Sequence, residues 1–161
     1  MFQSKQKQQT SEKDMNQEQP INIFYDASCA VCAQEMQIFK RCDQYDQLRL
    51  IDCSTPDFSA TQYHAEITQQ QMMQALHLQR ADGSWLKGAE AVAFIYRLMG
   101  FTRMANVWQW SWMRKAYPWL AKHRQGLSRL GLDKIWSMLL KRSAQRLQAR
   151  MQACHQGQCD V

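Results

Sequence analysis

Long apolar runs are missing from this 161-residue sequence. A helix that crosses a bilayer needs about twenty consecutive apolar residues, and the uncharged stretch 104–113 has only ten, so no membrane span is expected. Residues 1–19 are dominated by Gln, Lys, Ser and Glu and lack the apolar centre of a leader peptide. They read as a disordered tail. Six cysteines without a leader point to a reducing, cytoplasmic setting. A second Cys-x-x-Cys at zinc-ribbon spacing is also missing. Acidic side chains are scarce in the second half: residues 81–161 carry 13 basic and 4 acidic groups, against 7 and 10 in residues 1–80, or net +9 against −3. A basic surface of this kind can meet anionic lipid, an acidic protein or nucleic acid. Nucleic acid is disfavoured because no recognition motif accompanies the charge.

What is present suits one domain, and a chain of this length can bury roughly 70% of its unfolded surface without disulfide staples. Ile21, Ile23 and Tyr25 alternate with Asn22 and Phe24 in a run of strand length. Asp26-Ala27-Ser28 then reads as a turn with Ser28 as helix N-cap. From Cys29, the positions Val31, Met36, Ile38, Phe39 and Cys42 fit the core face of a helix. Residues 48–53 form a second strand, so strand, helix and strand make a βαβ unit with parallel strands. Residues 58–68 read as a loop or irregular helix and 69–76 as a helix. Asp82-Gly83 supplies a tight primed turn for a hairpin over 76–87, and an apolar helix follows Gly88.

This β-α-β-(α)-β-β-α order is that of a thioredoxin-like domain. The fold class is therefore α/β: a thioredoxin-like βαβ-(α)-ββα core over 20–100, with an added basic, Trp-rich α-helical segment over 101–152 packed on it. Residues 153–161 read as a flexible, cysteine-containing tail. Trp108, Trp110, Trp112, Tyr117, Trp119 and Trp136 alternate there with Arg103, Arg114, Lys115, Lys122, Arg124 and Arg129. Such a tryptophan stripe is more often core than binding surface, with an interfacial helix at a membrane as the other reading. The basic helix from Asp133 to about Met151 is expected to turn Ile135, Trp136, Leu139 and Leu140 inward.

Cys29 and Cys32 are the centre of the chemistry. A thiol in the first turn of a helix faces unsatisfied N–H groups and the positive end of the helix dipole, which favour the thiolate. On a redox reading, Cys29 is the more exposed sulfur and attacks a disulfide, and Cys32 resolves the mixed disulfide. On a metal reading the pair is half of a zinc site completed by Cys42 and Cys53, or by Cys154, His155 and Cys159. On the third reading they are packed cysteines without a role. Asp26 is either a proton acceptor for the thiols or a turn former. Cys42 and Cys53 read as small buried hydrophobes, His77 as a satisfied core histidine and Asp52 as a solvated strand-end acid.

Residues 25–32, Tyr-Asp-Ala-Ser-Cys-Ala-Val-Cys, resemble the Asp-Gly-x-Cys-x-x-Cys signature of the DCC family of thiol-disulfide oxidoreductases. Asp52, residues 56–58, Met72, His77, Asp82-Gly83, Gly88, Phe94 and residues 133–136 line up as well, so the resemblance spans roughly 21–155. It implies a thioredoxin-like fold, thiol-disulfide exchange at Cys29 and Cys32 with Asp26 in support, no cofactor (zinc being the alternative), and a protein or small-molecule thiol or disulfide as partner. Ala27 stands where the family's usual glycine is, implying either a turn made without positive φ or a strained one. The prolines are Pro20, Pro56 and Pro118. None precedes the strand near Leu76, where thioredoxin-like enzymes generally keep one, so the substrate groove is expected to differ from theirs.

Overall fold

The computed structural model describes residues 20–129 and 131–155; the expectations for 1–19 and for the end of the tail lie outside them. Strand β1 (Ile21–Tyr25) leads into helix α1 (Ala30–Cys42) and strand β2 (Leu48–Asp52). A 3-10 turn at Ala60–Gln62 and a short helix α2 (Gln69–Gln74) precede the hairpin of β3 (His77–Gln79) and β4 (Trp85–Lys87). Helices α3 (Ala89–Leu98), α4 (Thr102–Gln109), α5 (Ser111–Arg129) and α6 (Leu132–His155) complete the described chain. The helix carrying Cys154 thus runs past the expected boundary at 152.

The four strands form one sheet in the order β2-β1-β3-β4. β1 pairs parallel to β2, with Ile23 opposite Leu50, and antiparallel to β3, with Ile23 opposite Leu78. This is a mixed α/β architecture compatible with a thioredoxin-like fold. Because side chains alternate across a strand, Ile23 and Phe24, both fully buried, anchor opposite faces of the sheet. On the Ile23 face lie Met36, Ile38 and Phe39 of α1, Val92, Ile95 and Tyr96 of α3, and Leu140 and Ala144 of α6. On the other face Phe24 packs with Cys53, Ala60 and Met72 and stacks on Trp85 at 5.1 Å. Burying each large side chain contributes about 1.5–3 kcal/mol.

Three local expectations are corrected. The N-cap of α1 is Cys29 and not Ser28; the Ser28 side chain turns back and donates its hydroxyl to Asp26, where a cap would accept N–H groups of the helix start. The hairpin connection is a three-residue loop, with Arg80 N donating to Ser84 O and Gly83 N to Arg80 O, both at 2.9 Å. Gly83 has φ +81° and Asp82 is not left-handed, so one positive φ suffices where a primed turn needs two. On α6, Leu140 is fully buried but Ile135 and Leu139 are about half exposed, since the helix packs on the core through the line of Leu140 and Ala144, four residues apart. The Trp136 side chain lies outside the described residues.

The tryptophan stripe is also less buried than a core stripe would be: Trp108 packs against the core, whereas Trp110, Trp112 and Trp119 are each more than half exposed. Among the described residues no helix is long and apolar enough to cross a membrane.

Candidate active site

The turn between β1 and α1 is held by two carboxylates. Asp26 Oδ1 accepts Ser28 N at 3.0 Å as well as the Ser28 hydroxyl, forming the local turn that Asp favours. Asp52, at the end of the parallel neighbour β2, accepts Ala27 N at 3.1 Å, Ser54 N at 2.8 Å and Ser54 Oγ at 2.7 Å. Burial pushes the Asp52 carboxyl up, but the hydrogen bonds from Ser54 and Ala27 outweigh it and hold the group below the usual carboxylate range. Asp52 is therefore a clamp on the turn and not merely a solvated strand end. Ala27 sits in this turn without positive φ, the unstrained one of the two alternatives its departure from the family glycine left open.

This turn delivers Cys29 to the helix start and Cys32 to the first turn, with their Sγ atoms 3.0 Å apart and both thiols free. The Cys32 thiol donates to Cys29, and that bond is the largest influence holding the Cys29 thiol down, to about 6. Burial opposes it. The N–H groups of Cys32 and Val31 and the charge of Arg124 add to the lowering, although no cap hydrogen bond of ordinary geometry forms at Cys29. Cys32 is driven up by the same hydrogen bond, by burial and by the charge on Cys29. The pair thus holds one proton between two sulfurs, with the charge on Cys29.

Access is divided differently. Cys29 is 2% exposed, whereas Cys32 is half-buried and lines a cavity of about 420 Å³. The expectation that Cys29 is the more exposed sulfur is corrected: as N-cap it lies beneath the Asp26–Ser28 turn, while Cys32, three residues along the helix, faces the cavity.

Asp26 is almost fully buried and ion-paired to Arg124 of α5, whose guanidinium also donates to Met73 O at 2.6 Å. Arg124 thereby ties the Cys-x-x-Cys turn, α2 and α5 together. The sequence reading passed over it as one of several basic residues. A signal for it exists: Tyr117, Leu120, Ala121 and Arg124 follow the 3.6-residue period and all line the cavity. Tyr117 was also missed as a site residue. Its hydroxyl accepts Leu76 N at 3.2 Å, and burial pushes the phenol up to about 12.

The remaining candidates lie elsewhere. His77 is buried with Nδ1 donating to Ala75 O at 2.8 Å, and burial lowers its pKa. Cys42 and Cys53 are buried, and burial pushes the Cys53 thiol up to about 12. Among the described residues no three His, Cys, Asp or Glu side chains are gathered to hold a metal ion. The side chains of Cys154, His155 and Cys159 lie outside the described residues.

The model of the DCC1-like thiol-disulfide oxidoreductase family matches residues 23–130, which include the sheet except Ile21 and Asn22, and Cys29, Cys32, Asp26 and Arg124. An uncharacterised chloroplastic protein of Arabidopsis thaliana is 26% identical over 92 residues, covering 53% of this chain and 42% of that protein's length. No solved structure matches. The chain belongs to the DCC1-like thiol-disulfide oxidoreductase family.

Proposed function

From that membership, we propose that this protein is a cytoplasmic thiol-disulfide oxidoreductase of thioredoxin-like fold that cycles Cys29 and Cys32 between dithiol and disulfide. The observation that carries the reading is the 3.0 Å sulfur pair with its charge on Cys29. Cys29 acts as nucleophile: as thiolate it attacks a substrate disulfide, one substrate sulfur leaves, and a mixed disulfide forms. Cys32 then loses its proton and attacks the Cys29 sulfur, which closes the protein disulfide and releases the second substrate thiolate. Asp26 supports the pair by shaping the turn and by holding Arg124 near both sulfurs. Trapping tests the division of roles. In Cys32→Ser, reaction with an aromatic disulfide should leave a stable adduct on Cys29, and in Cys29→Ser the adduct should form far more slowly. Equal rates of trapping in the two variants, or no adduct in either, would end the proposal.

A second reading is favoured by the outward face of α5, where Trp112, Lys115, Trp119, Lys122 and His123 are all exposed. They share an arc of the helix that holds no acidic residue, and Trp119 stacks on His123 at 4.7 Å. Aromatic and basic side chains on one face suit the interface of an anionic membrane. Flotation with anionic vesicles at low salt should carry the protein up, and its absence there removes this reading.

A further inference from the structure

The cavity beside Cys32 restricts what can reach the sulfur pair. Its wall is made largely of apolar side chains, among them Val31, Met36, Met72, Leu76, Trp108 and Leu120. Its volume of about 420 Å³ lies in the range of small-molecule sites. The charged groups in the wall are engaged within the protein: Asp26 with Arg124, and Glu35 with the Tyr96 hydroxyl behind it. With these charges engaged inside the protein, none calls for an opposite charge on a ligand.

The backbone around the cavity is closed as well. A polypeptide substrate adds to a sheet through unpaired N–H and C=O groups. At Ala75 and Leu76, which line the cavity with Cys32, none is left. Ala75 N donates to Gln71 O at 3.2 Å, and Ala75 O accepts His77 Nδ1 at 2.8 Å. Leu76 O accepts Gly88 N at 2.8 Å, and Leu76 N is given to the Tyr117 hydroxyl. Helix α5 thus occupies, through Tyr117, a donor that an incoming chain would use.

Building on the oxidoreductase reading, we infer that the substrate at this site is a small apolar disulfide, bound by its side chains in the cavity, and not a polypeptide. The exchange balances as two electrons. The ligand's S–S bond breaks, the Cys29–Cys32 bond forms, the Cys32 proton ends on one ligand sulfur, and the other leaves as thiolate and takes a proton from solvent. Reduced protein mixed with lipoamide, with oxidised glutathione or with a disulfide-bonded peptide reports the choice through the rate of Cys29–Cys32 disulfide formation. Lipoamide should react at least about tenfold faster than either of the others, and Ala121→Phe, which fills the cavity, should slow lipoamide by about tenfold while changing the glutathione rate little. A peptide that reacts as fast as lipoamide, or an Ala121→Phe variant that slows all three alike, overturns the inference. If none of the three oxidises the pair, the oxidoreductase reading itself falls.

Discussion

At the scale of single residues, the site separates charge from access: Cys29 carries the negative charge, and Cys32 meets the cavity. The charge has a measurable consequence. Above about pH 6 Cys29 is ionised, so its alkylation by iodoacetamide should rise with pH through a midpoint near 6 and level off by neutrality. Cys32→Ala removes the thiol donor that lowers Cys29 most and should move that midpoint upward. Arg124→Met should move it in the same direction by removing a cation. It should also cost on the order of 3 kcal/mol of stability, because the buried Asp26 carboxylate loses its partner. Urea unfolding of Arg124→Met beside Arg124→Met/Asp26→Asn checks this, since the second change should restore part of the loss. Cys29, Cys32 and Asp26 were legible in the sequence because they are local, a signature of seven residues on a strand-to-helix junction. Arg124 was not, because its place depends on how a helix 98 residues away from Asp26 packs.

At the scale of elements, periodicity showed β1, α1 and β2 almost to the residue, since apolar spacing alone separates strand from helix. Turn chemistry was less legible. Asp82-Gly83 signals a turn, but loop length decides whether one or two residues must be left-handed. The outward faces of α5 and α6 were misjudged for a related reason: Trp and Ile mark apolar surface without saying which side of a helix meets the core. Docking of α5 depends on Gly88, whose φ of +61° is one that L side chains rarely adopt. A Cβ there would also lie 3.0 Å from Tyr117 Cε1 and 3.1 Å from Cδ1. Gly88→Ala should therefore destabilise by about 1–3 kcal/mol, displace Tyr117 and release Leu76 N. Hydrogen exchange at the Leu76 amide, compared with that of Leu78 in the sheet, should quicken selectively. Unchanged protection at Leu76 would show that Tyr117 does not hold that strand.

At the scale of the molecule, sheet and C-terminal helices share one core. Leu140 of α6 is fully buried in the cluster that contains Ile23, Phe39 and Tyr96, and Tyr117, Leu120, Ala121 and Ile135 of α5 and α6 wall the cavity over Cys32. The segment after Gly100 is therefore part of the site and not an appendage to it. Leu140→Ala should cost about 2–5 kcal/mol in a single cooperative transition. A variant in which α6 alone melts, while the sheet unfolds at the wild-type denaturant concentration, would show that the helix is not integral to the core.

The central claim is that Cys29 and Cys32 form a reversible redox couple, and equilibrium titration tests it most directly. Protein held in dithiothreitol redox buffers of stepped ratio, quenched in acid and alkylated, reports by mass the fraction of paired thiols. The expected result is one two-electron transition that is abolished in both Cys29→Ser and Cys32→Ser. Thiols that remain free at every ratio, or a transition that survives either substitution, would contradict the account.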